Sequence, residues 1–143
     1  MRAVDTNVLV YAFFSDSPFH DAATRAVQGL AESPVPWAIP WPCIHEFYGV
    51  VTNPKIFDTP KLPARARSQI NEWLRSPSLQ LLAETPQHWS LLQELLSGGG
   101  VAGPAVHDAR IAALCLTHGV TELLTQDRDF SKFPKLKLLS LMN

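Results

Sequence analysis

Short apolar runs alternate with longer amphipathic stretches along almost the whole chain. The apolar runs lie at residues 3–4, 37–39, 79–82, 123–124 and 138–139. Between them, apolar residues recur every three or four positions, which predicts helices at about 6–14, 19–31, 42–52, 63–75 and 86–96, and one from about 104 or 107 to 117. Short strands that alternate with helices indicate βαβ units. We therefore predict an α/β fold with a central, mostly parallel sheet of four to five short strands flanked by helices.

The length and composition narrow the class of protein. A chain of 143 residues predicts a single domain, here residues 1–143. A hydrophobic content of 46% with 17% charged residues is typical of a globular protein. The absence of a long apolar run or a secretion-signal pattern predicts a cytoplasmic protein without a membrane segment. Cys43 and Cys115 lie far apart, which predicts two free thiols. The net charge of -1 argues neither for nor against a nucleic-acid partner.

Acidic residues stand at the junctions between the predicted strands and helices. Asp5 follows the first strand, Asp127 and Asp129 follow the fourth, and Glu46 and Asp108 lie near helix starts. In a parallel sheet these junctions share one edge, so we expect the acids to face one crevice. Several carboxylates in one crevice repel each other unless a divalent cation screens them. Ligands that are all oxygens favour a hard ion, Mg²⁺ or Mn²⁺.

Each acid taken alone also has an ordinary structural explanation. An acid at a helix start stabilises the helix by ~0.3–1 kcal/mol without any chemistry, which accounts equally well for Asp108 and Asp5. Asp127 and Asp129 alone would be a solvated turn. Glu46 is harder to explain in this way because its helix neighbours look buried. His107, directly before Asp108, is either a ligand or base, or a packing or surface residue.

Four segments occur in an order and spacing that is more specific than any one of them. They read VDTNVLV at 4–10, EFYGVVTNP at 46–54, HDARIAAL at 107–114 and LLTQDRDF at 123–130. Together they resemble the PIN-domain ribonucleases and, within them, the VapC-like toxins of prokaryotic toxin–antitoxin pairs. The resemblance covers almost the whole chain, although residues 53–104 match only in general character.

The resemblance implies a site and an activity. Asp5, Glu46 and Asp108 match the three core acids, and Asp127 matches the fourth, with Asp129 a close competitor. The polar residues that support these acids in the family are matched by Thr6, Asn7 and Thr125. The implied activity is Mg²⁺-dependent endoribonucleolytic cleavage of RNA by a toxin that binds a small antitoxin and often forms a homodimer.

The roles within this set follow from the same resemblance and from metal chemistry. Asp5 and Asp108 are expected to be direct metal ligands, and Glu46 to hold a metal-bound water or act as a base. Asp127 would complete the set for a second ion, and Asn7 and Thr125 would orient the carboxylates. An acidic crevice repels RNA, so cations must hold the backbone; the candidates are Lys55, Lys61, Arg65, Arg67, Arg110, Arg128 and Lys132.

Three other functions fit parts of the pattern. One is a DNA-directed or structure-specific nuclease of the same fold, and another is a non-catalytic PIN-like interaction module. The third is a phosphatase with an aspartyl nucleophile, but that chemistry commonly needs a second acid two residues on, where Asn7 stands. An interface is also indicated by aromatic residues that are predicted near loops and helix ends, with completion of the core as the alternative; these are Trp37, Trp41, Phe57 and Trp73.

Overall fold

The computed structural model describes residues 1–56 and 63–142. Five strands and six α-helices alternate along them. They are β1 (Arg2–Val4), α1 (Thr6–Phe13), α2 (His20–Glu32), β2 (Trp37–Pro40), α3 (Trp41–Val51), α4 (Pro63–Leu74), β3 (Leu79–Leu82), α5 (His88–Leu96), α6 (Ala105–Thr117), β4 (Glu122–Leu124) and β5 (Lys137–Leu139). A short 3₁₀ helix, Arg128–Lys132, lies between β4 and β5.

The strands form one sheet in the order β3-β2-β1-β4-β5, and every neighbouring pair is parallel. The predicted α/β fold is therefore confirmed, with five strands and a wholly parallel sheet. Four helix starts differ from the prediction by one or two residues, among them α2 at His20 and α6 at Ala105. Helix α3 begins at Trp41, directly after β2, and α5 begins at His88 because its amide closes a turn onto the Thr85 carbonyl at 3.0 Å.

The core lies around the two central strands. All four residues of β2 are buried, as are Ala3 and Val4 of β1, which is the pattern of strands covered on both faces. Helix α6 contributes a run of buried residues from Ala109 to Cys115, apart from the partly exposed Arg110. Small side chains on this helix allow its backbone to approach its neighbours closely.

Two of the aromatic residues considered for an interface belong to the core instead. Trp37 is fully buried in β2, and Trp73 is 5% exposed with its ring against Phe47. The interface interpretation is therefore wrong for these two, because strand β2 and the inner face of α4 are covered by the fold itself. Trp41 is partly buried, and Phe57 lies outside the described residues.

Two further predictions concern the thiols and the membrane. Cys43 and Cys115 are free and buried, as predicted. Within residues 1–56 and 63–142, no helix has the length and apolar character needed to cross a membrane.

The sheet register determines which side chains meet at its carboxyl edge. Val4 of β1 pairs with Leu124 of β4, so the next residues of the two strands, Asp5 and Thr125, lie side by side. On the other side, Ala3 pairs with Ala38 of β2, and continuing that register brings Pro40 beside Asp5. The beginning of α1 thus lies between the beginning of α3 and the end of β4.

Candidate metal centre

Asp5 is the buried centre of the site. It caps α1: its Oδ1 accepts a hydrogen bond from the Thr6 amide at 2.8 Å. Its Oδ2 accepts one from the Thr125 hydroxyl at 2.7 Å and a longer one from Asn7 Nδ2 at 3.4 Å. The buried Cys43 thiol also donates to Oδ1, with sulfur and oxygen 3.7 Å apart. Asp5 can therefore both cap α1 and belong to the site, because these contacts hold its carboxylate in one orientation.

Three further carboxylates gather beside it. Asp108, Asp127 and Asp129 each place an oxygen within 4.8 Å of the other two. Asp108 lies in the first turn of α6, and Asp127 caps the 3₁₀ helix by accepting from the Asp129 amide at 2.9 Å. The structure therefore brings both sequence candidates for the fourth acid, Asp127 and Asp129, to Asp108.

Burial and the concentration of negative charge raise the pKa values of two of these acids. Burial, followed by the charges of Asp127 and Asp5, raises the pKa of Asp108 to about 6. Burial also raises the pKa of Asp5, against the lowering effect of its hydrogen bonds from Thr125 and Thr6. Raised pKa values in neighbouring carboxyls mean that a full set of charges is unfavourable without a cation.

Glu46 is paired with a histidine. It lies in the second turn of α3, and its Oε2 is 3.0 Å from His107 Nε2. This hydrogen bond lowers the pKa of Glu46 and raises that of His107. Both side chains are about two-fifths exposed, at 40% and 39%. In the structure, His107 is a half-exposed hydrogen-bond partner of Glu46.

The loop that carries Asp127 is held against the start of α1 by a small polar network. Thr125 Oγ1 accepts from the Asp127 amide at 3.0 Å and from Asn7 Nδ2 at 3.3 Å. Asn7 Oδ1 in turn accepts from the Gln126 amide at 3.3 Å. Asn7 and Thr125 thus contact the acids that the sequence pattern assigned to them, and Thr6 contributes its backbone amide.

Two contributors to this network were not found by sequence reasoning. Cys43 stood out only as a free thiol, and its contact with Asp5 depends on how α3 packs against β1. Gln126 lies between two predicted site residues, and its side-chain oxygen accepts from the Leu141 amide at 2.7 Å, which ties the loop to the end of the chain. No signal in the chain identified Cys43, whereas the position of Gln126 within the LLTQDRDF segment was a hint.

Several candidate cations have partners within the protein. Arg110 pairs with Glu84 at 3.1 Å, Arg67 donates to the Tyr48 hydroxyl at 3.1 Å, and Lys132 donates to the Gly100 carbonyl at 3.3 Å. All three contacts lie at the surface. The side chains of Lys55, Arg65 and Arg128 are exposed, and Lys61 lies outside the described residues.

The donor set has the chemistry of a site for a hard divalent cation. Carboxylate oxygens are the ligands that Mg²⁺ and Mn²⁺ prefer, and opposite ligands on Mg²⁺ lie roughly 4 Å apart, close to the separations found here. The Thr6 hydroxyl is buried near Glu46 and lowers its pKa, yet it has no hydrogen-bond partner at ordinary distance in the part of the chain that is described. One more polar group beside Asp5 therefore has unused bonding capacity.

Comparison with known proteins places the chain in a family. Residues 2–136 match the family model of the PIN domain. The chain is 32% identical over 137 residues to Ribonuclease VapC43 of Mycobacterium tuberculosis, covering 96% of this chain and 92% of that protein.

Solved structures share the fold at lower sequence identity. VapBC2 from Rickettsia felis, bound to a DNA fragment from its promoter, superposes with a TM-score of 0.66 at 22% identity, over 97% of each chain. A toxin–antitoxin complex from Klebsiella pneumoniae superposes with a TM-score of 0.64 at 17% identity, over 99% of this chain and 98% of that one. Taken with the match to the family model over residues 2–136, these results show that the chain belongs to the PIN-domain family, among its VapC members.

Proposed function

We propose that the protein is a Mg²⁺-dependent endoribonuclease, with Mn²⁺ able to replace Mg²⁺, and the toxin of a toxin–antitoxin pair. The observation that carries the proposal is the convergence of Asp108, Asp127 and Asp129 within 4.8 Å beside the buried Asp5. The similarity to Ribonuclease VapC43 supports RNA as the substrate. A non-catalytic module explains the site less well. The crowding that raises the pKa of Asp108 costs stability, and helix capping does not require it.

Some residues of the site would bind the ion, and others orient the groups that bind it. Asp108, Asp127 and Asp129 would hold the ion, and Asp5, expected from the sequence as a direct ligand, is fixed by Thr125 and Thr6 on the buried side of the site. A bound divalent ion neutralises charge on the phosphodiester and makes water a better nucleophile. Glu46, kept ionised by its hydrogen bond from His107, is the group that accepts a proton from the attacking water.

The proposed substrate needs cations outside the acidic centre. Lys55, Arg65 and Arg128 are exposed and available to phosphates. Arg110, Arg67 and Lys132 are exposed or half-exposed, and their partners at the surface contribute little, so RNA phosphate is able to compete for them.

The test is cleavage of total cellular RNA by the pure protein with 5′ and 3′ ends mapped. We expect new ends in the presence of Mg²⁺ or Mn²⁺ and none in excess chelator. Asp108→Asn, which preserves side-chain size, should abolish cleavage while the fold survives. Asp16→Asn, at an exposed site in the turn before α2, is a matched single-charge control. Cleavage of RNA in excess chelator would contradict the metal-dependent mechanism, and cleavage of single-stranded DNA alone would identify a DNA-directed nuclease.

We propose a small antitoxin as the protein partner. The VapBC2 and Klebsiella structures support this, because the second is a toxin–antitoxin complex with the same fold. A cationic side chain of the antitoxin, best an Arg, can pair with the carboxylates and replace the charge of the ion. Co-expression with the neighbouring small open reading frame should yield a complex that weakens when Asp5 and Asp108 are both changed to Asn. Recovery of the chain alone at equal yield would remove the antitoxin proposal and leave the nuclease standing.

We also propose a homodimer that uses α5. The leucines of this helix, His88–Leu96, are partly buried, and Leu92, Leu95 and Leu96 pack against the core, whereas Trp89 is 60% exposed. Aromatic side chains are enriched at interfaces. Trp89→Glu should convert a dimer to a monomer in light-scattering chromatography, whereas Val35→Glu, at another exposed apolar position, should not. A monomeric wild-type protein would contradict this assignment.

A further inference from the structure

Two aromatic side chains stack on each other at the beginning of α3. Trp41 and His45 are four residues apart on one helix face, with ring centroids 5.9 Å apart and planes inclined by 27°. Trp41 is partly buried and packs against the core, whereas His45 is exposed. The indole therefore anchors the pair from the inside, and the imidazole presents its uncovered surface to solvent.

The two residues are neighbours in the chain of residues that belong to the metal centre. Helix α3 starts directly after β2, and the sheet register places the last residue of β2, Pro40, beside Asp5. Trp41 is the next residue along the chain. At the other end of the pair, His45 is followed by Glu46, whose carboxylate pairs with His107 next to Asp108. The backbone that carries the ring pair thus runs from the residue after Pro40 to the residue before Glu46.

Three of the other four histidines have a polar partner for the ring, whereas the fourth, His88, has a buried Nδ1 without a partner in the described part of the chain. Each of the three places a ring nitrogen against a protein oxygen: His20 with the Tyr11 carbonyl, His107 with Glu46 and His118 with the Ala83 carbonyl. Within residues 1–56 and 63–142, no such partner is found for His45. Polar contacts with this part of the chain therefore do not explain why an imidazole stands here.

We propose that Trp41 and His45 form a stacking platform for one unpaired nucleobase of the RNA, next to the phosphate that is cleaved. This rests on the proposed ribonuclease function and adds a substrate subsite to it. Single-stranded RNA is recognised by stacking of splayed bases on aromatic rings, and the uncovered face of the His45 imidazole, supported from behind by the Trp41 indole, offers such a ring.

The platform has a consequence for substrate choice. A base within a duplex has neighbours on both of its faces, so neither face is available to His45. The protein should therefore prefer single strands and loops. Because stacking uses the face of the base, the platform should tolerate different bases at that position.

The test measures binding and cleavage of one RNA by three proteins. The probe is a fluorescein-labelled single strand of about 12 nucleotides whose sequence is taken from a cleavage site mapped in total RNA. His45→Leu keeps bulk without an aromatic ring, and His45→Phe keeps the ring. In an Asp108→Asn background, which leaves the probe intact, His45→Leu should weaken binding about 5- to 100-fold, and His45→Phe should bind within about twofold of the parent. In the protein that retains Asp108, His45→Leu should raise KM and leave kcat nearly unchanged.

An abasic scan locates the stacked base. Removing the base at one position of the probe should weaken binding to the parent protein, and the same probe should show no further loss with His45→Leu. Such non-additivity is expected only if the ring and that base touch. The same sequence annealed into a duplex should bind His45→Leu and His45→Phe equally.

Several results would overturn the proposal. Equal affinity of His45→Leu and His45→Phe for the single strand, or additive losses at every abasic position, would remove the platform while cleavage by the wild type keeps the ribonuclease. Loss of antitoxin co-purification with unchanged RNA affinity would assign the pair to a protein partner instead. Wild-type protein that neither binds nor cleaves RNA would remove both the platform and the ribonuclease function.

Discussion

The hydroxyl of Thr125 donates a 2.7 Å hydrogen bond to Asp5 Oδ2 across the pair of strands β1 and β4. Thr125 Oγ1 also accepts a hydrogen bond from the Asp127 amide, so Thr125 links the buried acid to the loop that carries two of the clustered carboxylates. Thr125 can make both contacts because neighbouring positions of two parallel strands are fixed relative to each other.

Two replacements of Thr125 distinguish the effect of its hydroxyl group from the effect of its size. Thr125→Val removes the hydroxyl and leaves a buried carboxylate with one donor fewer, so we expect a loss of about 1–3 kcal/mol in the free energy of unfolding. Activity should fall about 10- to 100-fold, as for other residues that orient metal ligands. Thr125→Ser, which keeps the hydroxyl, should retain most of both. Urea titration and a cleavage assay measure the two effects; equal behaviour of the two variants would contradict the role of the hydroxyl.

Asp108 should destabilise the metal-free protein at neutral pH. Its pKa is raised to about 6 from an ordinary value of 3.8, so the folded state holds a proton that the unfolded state has released between these pH values. The free energy of unfolding should therefore decrease as the pH rises through this window. Because Asp108 is partly exposed, the effect is of the order of 1 kcal/mol.

Asp108→Asn should accordingly raise the melting temperature in excess chelator at about pH 7.5, and the gain should vanish near about pH 4. Thermal melts at both pH values measure it, with Asp16→Asn as the surface control. Added Mg²⁺ should stabilise the wild type by mass action and leave Asp108→Asn nearly unchanged. A variant that is no more stable than the wild type at the higher pH would show that the acids do not strain the fold.

Asp127 and Asp129 should contribute unequally although both belong to the cluster. Asp127 is half-buried and its charge acts on both Asp5 and Asp108, whereas Asp129 is exposed. Asp127→Asn retains an oxygen to cap the 3₁₀ helix, so its effect should come from lost charge. We expect Asp127→Asn to lose more cleavage activity and more Mn²⁺ affinity than Asp129→Asn. The opposite order in a Mn²⁺ titration would assign the fourth place to Asp129.

The pair of His107 and Glu46 should stabilise the protein only in mildly acidic solution. The pKa of His107 is raised, so its contribution is present below its usual value of 6.5 and is lost as the pH rises through the raised value. The pKa of Glu46 is lowered, so its contribution is present above its usual value of 4.5 and is lost as the pH falls.

His107→Gln should therefore lower the melting temperature most between about pH 4.5 and 6.5 and least near about pH 8. The loss should stay below about 1 kcal/mol because both side chains are partly exposed. Melts across this range check it, and a loss that is independent of pH would indicate that only the hydrogen bond matters.

The alternation of strands and helices, and the acids at their junctions, could be predicted from the order of residues alone. Apolar periodicity is a local property, and a parallel sheet necessarily brings the carboxyl ends of its strands to one edge. For this reason the amino-acid sequence was sufficient to predict a common site for Asp5, Asp108 and Asp127. The matching segments added the family, because four of them kept one order and spacing.

Which groups touch depends on the tertiary fold. Strand order placed Thr125 beside Asp5, and the packing of α3 and α6 brought Cys43 to Asp5 and His107 to Glu46. These contacts join residues far apart in the chain, and no local pattern contains their distances. The same holds for Trp41 and His45: their spacing places them on one helix face, but only burial by the surrounding elements left the first ring anchored and the second exposed.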